Sequence, residues 1–171
     1  RMTERARAAS RAKREADEAA DPAKRYLGEA VAVVRKALAS DSQTLTGDSE
    51  LMNLAKSIGP LARDALGDSQ SAAWIWQGVG RRVKSPVLRA ACEAEMADIA
   101  VNDSLNFKAA KSLVQSAVAA LGTVKKGPVA ARVEQVRGDL AASTGDGKAA
   151  REAYLAAQRC LDADGSYARQ T

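Results

Sequence analysis

Residues 133–157 read VEQVRGDLAASTGDGKAAREAYLAA, and the order of residue types in this stretch decides the fold class. Val129, Val133, Val136 and Leu140, behind Pro128, return at spacings of three and four, the period of one face of an α-helix. Thr144-Gly145-Asp146 then interrupts the pattern: glycine accepts the left-handed conformation that ends a helix, and aspartate offers a carboxylate to cap the next. Ala150, Tyr154, Ala157 and Leu161 resume the helical period. The stretch is a helical hairpin with a tight Gly-Asp turn.

The same hairpin recurs upstream. Lys108-Ala109-Ala110-Lys111 matches Lys148-Ala149-Ala150-Arg151 at an offset of 40, which carries Val114 onto Tyr154 and Ala117 onto Ala157. Gly67-Asp68 matches Gly145-Asp146 at an offset of 78, carrying Ala72 onto Ala150 and Trp76 onto Tyr154. In each copy a small residue precedes a bulky one by four positions, a pattern suited to helices that admit a neighbour's large side chain over a small one. Three hairpins are expected, over residues 49–83, 87–121 and 129–161, stacked in the same sense, with Ala110 and Ala150 at close helix contacts.

The remaining signals agree in type. Asp21-Pro22 predicts a helix start, with Leu27, Val31, Val34 and Leu38 on one face and an end near Ser40. SDSQTLTGD, residues 40–48, predicts a loop. Leu51, Leu54, Ile58, Leu61 and Ala65 keep one face across Gly59-Pro60, which predicts a kink or break before Gly67. Ala72, Trp76, Val79 and Val83 share the next stripe, and Ser85-Pro86 opens a helix carrying Leu88, Ala91, Cys92 and Ile99 that stops near Asn102-Asp103. The following helix ends at Gly122. The expectation is an all-α chain of about eight helices, divided into a charged, Ala-rich N-terminal helix or stalk over 1–20, a helical-repeat domain over 21–165 and a flexible tail over 166–171.

Composition narrows the function classes. Of 171 residues, 46% are hydrophobic and only 4% aromatic, and alanine is the commonest type. One sizeable core of closely packed helices follows, and an all-β fold does not. The chain has no His, so it lacks the usual general base and the commonest metal ligand. Cys92 and Cys160 fit neither a redox pair nor a zinc set and read as small buried apolar residues. Lys and Arg number 26 against 21 Asp and Glu, a net charge of +5 that is interspersed with acids along most segments. No run of residues is apolar enough to span a membrane.

The last hairpin resembles the tetratricopeptide repeat: Gly138 inside the first helix, a Gly145-Asp146 turn, then Ala150, Tyr154 and Ala157 in the second. Within that family, residues 133–157 look most like the terminal repeat of bacterial ancillary subunits of the Sec translocon. The resemblance implies a right-handed α-solenoid of stacked hairpins whose inner groove binds a peptide or partner protein, without cofactor or chemistry. The chain opens at Arg1 rather than Met, which leads to the expectation of a processed or longer protein. An apolar anchor ahead of Arg1 would favour an envelope (periplasmic) scaffold, and its absence a cytoplasmic adaptor.

Trp74 and Trp76 are the residues to locate first. Trp76 falls on the core stripe, whereas Trp74 lies about 200° around the helix and faces another helix or the outside. With Arg81, Arg82 and Lys84 close behind, Trp74 defines a partner-binding candidate, because aromatic and Arg side chains dominate interaction hot spots. Gly78-Val79-Gly80 and Arg137-Gly138-Asp139 read as coincidental matches to a phosphate loop and an adhesion tripeptide, and Asp162, Asp164 and Gly165 as an acidic tail rather than a calcium loop. Glu93, Glu95 and Asp98 read as a solvated helix face, which leaves no catalytic pocket. The leading function is therefore a non-catalytic protein-interaction scaffold with no metal and no cofactor. A basic nucleic-acid-binding module, resting on Arg81, Arg82 and Lys84, is the alternative, and a small helical enzyme the more distant one.

Overall fold

The computed structural model of the chain describes residues 4–40 and 47–162. It is all-α: α1 (Glu4–Ala39), α2 (Asp48–Pro60), a π-helical turn (Leu61–Ala65), α3 (Ser69–Gly80), α4 (Pro86–Asn102), α5 (Phe107–Leu121), α6 (Pro128–Ser143) and α7 (Gly147–Asp162). Residues 41–46 of the expected loop, and the expected tail with Asp164 and Gly165, lie outside the described residues.

Among the described residues seven α-helices stand where about eight were expected, because Asp21-Pro22 does not start a new one. Pro22 lies inside α1, which runs without a break across the expected boundary between residues 20 and 21. Proline removes one backbone donor and strains one turn, but the Ala, Lys, Arg and Glu around it are strong helix formers and carry the helix through.

The hairpins are α2–α3, α4–α5 and α6–α7, stacked along the chain. α6 packs on both helices of the preceding hairpin as well as on α7, and α4 packs on α3. α1 lies against α3 and the π-helical turn, with Val31 and Leu38 buried in the core of the first hairpin. That core gathers Leu51, Met52, Ile75, Trp76, Val79 and Cys92, whereas a second, Ala-rich core of Ala90, Ala94, Ala117, Ala130, Val133 and Cys160 joins α4 to α7. Both cysteines are buried free thiols, and burial pushes Cys92 up to about 12.

The repeat is visible at atomic scale. Gly59 lies under Trp76, where an added Cβ would stand 2.8 Å from the indole Nε1, and Gly138 lies under Tyr154, where it would stand 2.5 Å from Cε1. In the middle hairpin Ala97 and Val114 occupy the equivalent positions, packed with Val136. The turns correspond too: Asp68, Asn106 and Asp146 each accept a hydrogen bond from the backbone N–H three residues on, at 2.9, 3.1 and 3.0 Å. The residue before each has positive φ, at +67° for Gly67, +50° for Leu105 and +83° for Gly145. Ala110 and Ala150 are both buried at helix contacts.

Two local expectations change. The α7 stripe of Ala150, Tyr154, Ala157 and Leu161 is rotated, so that Ala150, Ala153 and Cys160 are buried while Tyr154 is 41% exposed. Among the described residues α7 packs mainly on α6, so a single neighbour covers it and its outer face stays open. The Glu93, Glu95 and Asp98 face is not solvated. Asp98, 6% exposed, receives Arg63 Nη1 from the π-helical turn at 2.5 Å and lies 3.4 Å from Arg132 of α6, while Glu95 accepts Arg132 Nε at 2.8 Å. Asp103 holds Arg63 through its other nitrogens at 2.8 and 2.6 Å. One ladder of charges thus ties all three hairpins to α4.

Pro60 explains how Arg63 reaches that ladder. Its ring nitrogen cannot donate, so the chain widens into the π-helical turn, closed by Leu66 N–H to Leu61 O at 3.3 Å. The expected break at Gly59-Pro60 is this one widened turn.

Candidate functional site

The tryptophans separate as their helical angles predict. Trp76 is 6% exposed in the core, and Trp74 sits partly buried at the edge of α3. Arg35 of α1 places its guanidinium 5.4 Å from the Trp74 ring centroid and donates to the buried Ser71 hydroxyl at 3.2 Å. One face of Trp74 is thereby used in packing between neighbouring helices.

Trp74 also lines a groove of about 370 Å³ between α3 and α4, with Gln70, Ala73 and Gln77 on one wall and Met96, Ile99 and Ala100 on the other. Gln77 and Met96 continue into a second depression of about 470 Å³, bounded by Gly80, Arg81, Arg89 and Glu93. Two glycines allow these helices to close up. A Cβ on Gly80 would stand 3.2 Å from Cys92 Cβ of α4, and one on Gly78 would stand 3.3 Å from Leu38 Cβ of α1. Gly78-Val79-Gly80 is accordingly a helix-packing device.

The two depressions adjoin at Gln77 and Met96, the first with an apolar floor at Trp74 and the second lined by the arginines Arg81 and Arg89. Glu93 lines the second depression with Arg81 and Arg89: its Oε1 accepts from Ser116 Oγ at 2.8 Å, and its Oε2 is buried with no hydrogen-bond partner among the described residues. Such a pair of depressions can hold an apolar side chain over Trp74 and Met96 and present donors to a carboxylate or backbone carbonyl near Arg81 and Arg89.

The basic cluster does not stay together. Arg81 is exposed in the second depression. Arg82 turns to α1, where its nitrogens donate to the carbonyls of Ala37, at 3.4 Å, and Ser40. That contact satisfies carbonyls at the end of a helix, which have no partner within it. Lys84 is exposed beside the start of α2, where the backbone N–H groups of Lys84 and Ser85 donate to Asp48 at 2.9 and 2.8 Å and hold its carboxyl below the usual range. Of the four residues singled out from the sequence, Trp74 and Arg81 therefore line adjoining depressions, and Arg82 and Lys84 serve elsewhere.

Sequence reading missed Arg89 and Met96 and set Glu93 on a solvated face; all three belong to the next hairpin. The available signal was the repeat itself, since stacking brings the second helix of one hairpin against the first helix of the next. Among the described residues no group of three acidic or thiol side chains is arranged to hold a metal ion, and no helix is long and apolar enough to cross a membrane. Comparison with protein-family models, curated proteins and solved structures finds no match to this chain.

Proposed function

We propose that the chain is a non-catalytic interaction scaffold of tetratricopeptide-like helical hairpins, and that the adjoining depressions between α3 and α4 take a peptide segment of a protein partner. The observation that carries this reading is that a depression floored by Trp74 and Met96 adjoins, at Gln77 and Met96, a second one lined by Arg81 and Arg89. The recurring pairs of a small residue under a bulky one, and the recurring capped turns, support the repeat assignment. Large aromatic and Arg side chains with little rotamer freedom left to lose make efficient anchors.

Selection of displayed peptides against the protein, followed by fluorescence titration, tests the reading. Selected peptides should bind the parent and lose about tenfold or more in affinity with Trp74→Ala or with Arg81→Glu, the usual scale for a hot-spot truncation. Thermal melts check that each variant is folded. Selected peptides that bind a Trp74→Ala, Arg81→Glu double variant as tightly as the parent would remove these depressions as the site.

A further inference from the structure

The groove beside Trp74 has a counterpart one hairpin later, and its chemistry differs. Advancing by 38 residues carries Gln70, Ala73 and Gln77 of α3 onto Lys108, Lys111 and Gln115 of α5. Advancing by 41 carries Met96, Ile99 and Ala100 of α4 onto Arg137, Leu140 and Ala141 of α6. These residues line a groove of about 680 Å³ between α5 and α6, floored by Phe107, Val114 and Leu140. The repeat thus builds the same cleft twice, and the second copy exchanges an amide, a methyl group and a thioether for three cations.

One carboxylate, Asp146, lines this groove opposite three cations, Lys108, Lys111 and Arg137. Asp146 accepts the Ala149 N–H at the turn into α7, and Glu134 pairs with Arg137 at 2.6 Å. Among the described residues no carboxylate lies within ion-pair distance of Lys108 or Lys111, both of which are exposed. The two lysines stand three apart on one helix, and like charges at that spacing repel. A carboxylate partner would relieve that repulsion.

We infer that this groove docks an acidic amphipathic helix of a partner protein, with a bulky apolar side chain on the floor of Phe107, Val114 and Leu140 and carboxylates one turn apart facing Lys108 and Lys111. One turn of α5 sets the spacing of the two ammonium groups, and one turn of a partner helix sets the same spacing between its carboxylates. The inference rests on the reading of the chain as a peptide-binding scaffold but uses a different cleft.

The test uses the full chain and three probes: a short fluorescein-labelled helix-forming peptide with Leu and Phe on one face and Glu beside them, the same peptide with every Glu replaced by Gln, and vesicles of phosphatidylglycerol. The Glu peptide should bind, weaken as salt rises, and bind about tenfold more tightly than the Gln peptide, as expected for two exposed ion pairs around an apolar anchor. A Lys108→Glu, Lys111→Glu double variant, altered only at exposed positions, should melt like the parent and lose the Glu peptide. The Trp74→Ala, Arg81→Glu variant should keep it. Equal binding of the Gln peptide, indifference to the lysine reversals, or binding to the vesicles alone overturns the inference. If the Glu peptide responds to Trp74 and Arg81 instead, this groove fails while the scaffold reading stands. If neither this peptide nor any selected peptide binds, both fail.

Discussion

Leu105 is the one described residue other than glycine with positive φ, and it stands where Gly67 and Gly145 stand in the other two hairpin turns. Its side chain is 66% exposed, so little apolar burial opposes the cost of the left-handed conformation. That cost is about 1–2 kcal/mol for a residue with a Cβ, against about 0.5–1 kcal/mol of extra backbone entropy that glycine loses on folding. Leu105→Gly should therefore raise stability by about 0.5–1 kcal/mol in denaturant melts, and an unchanged or lower midpoint would contradict the equivalence of the three turns. The glycines beneath aromatic rings respond in the other direction and unequally. Gly59→Ala drives a Cβ into the buried Trp76 and should cost about 1–3 kcal/mol. Gly138→Ala should cost clearly less, because Tyr154 is 41% exposed and can tilt outward, and because Ala gains about 1 kcal/mol of helix propensity over Gly. Equal losses for the two would show that ring burial does not set the penalty. The Gly-Asp turns were readable because glycine and aspartate announce a helix end and a cap. Leu105-Asn106 was not, since leucine carries no turn signal; hydrogen bonds from Asn106 N–H to Ala100 O at 2.7 Å and from Ala109 N–H to the Asn106 side chain at 3.1 Å fix the turn around it.

At the level of elements, α4 is where the three hairpins are fastened, through charges rather than apolar contacts alone. Arg63 is held protonated by Asp103 first and Asp98 second, and hydrogen bonds from Arg63 hold the Asp103 carboxyl below its usual value of 3.8. A carboxylate with a depressed folded pKa contributes stability above its unfolded pKa, and that contribution disappears as pH falls through the folded value. Asp48 and Asp68, held down by hydrogen bonds from Lys84 and Ser85 and from Ser71, act in the same sense. Midpoints should fall between neutral pH and about pH 3, and Arg63→Met should make that fall shallower while lowering stability at neutral pH, because Asp98 and Asp103 lose their shared partner. An identical pH profile for the variant would mean that Asp103 is not what titrates. The stripes of α3 to α6 were legible because a 3.6-residue period needs only local sequence. The ladder was not. Glu95 and Asp98 look like part of a polar helix face until Arg63 and Arg132, more than thirty residues away on either side, are brought against them. Pro60 showed where α2 would break, but a widened turn and a broken helix carry the same sequence signal.

For the whole molecule, the distribution of positive charge among the described residues bears on the choice between the proposed scaffold and a nucleic-acid module. Net charge is +5, and the alternative reading requires that Arg81, Arg82 and Lys84 form one track for a phosphate backbone. Folding divides them. Arg82 is bonded to the carbonyls of Ala37 and Ser40 at the end of α1, Arg81 lines a depression with Arg89 and Glu93, and Lys84 lies beside Asp48 at the start of α2. Arg63 and Arg132, two further cations, are neutralised by Asp98, Asp103 and Glu95. An oligonucleotide would have to dismantle the Arg82 contact to gain a third phosphate, and Trp74, the partly exposed tryptophan of the helix before the cluster, already has Arg35 over its ring. Binding should consequently stay near the weak end of non-specific association, ~10⁻⁴ M at physiological salt, with log affinity falling against log salt by ~0.7 per phosphate on single strands and ~0.9 on duplex. Fluorescence anisotropy with labelled single- and double-stranded oligonucleotides decides the matter. Submicromolar binding that disappears when Arg81, Arg82 and Lys84 are changed to Glu would replace the scaffold with a nucleic-acid reader. A melting point that drops for the Arg82→Glu change alone, with no oligonucleotide bound by the parent, is the outcome the geometry predicts, because that guanidinium is part of the joint between α1 and α3.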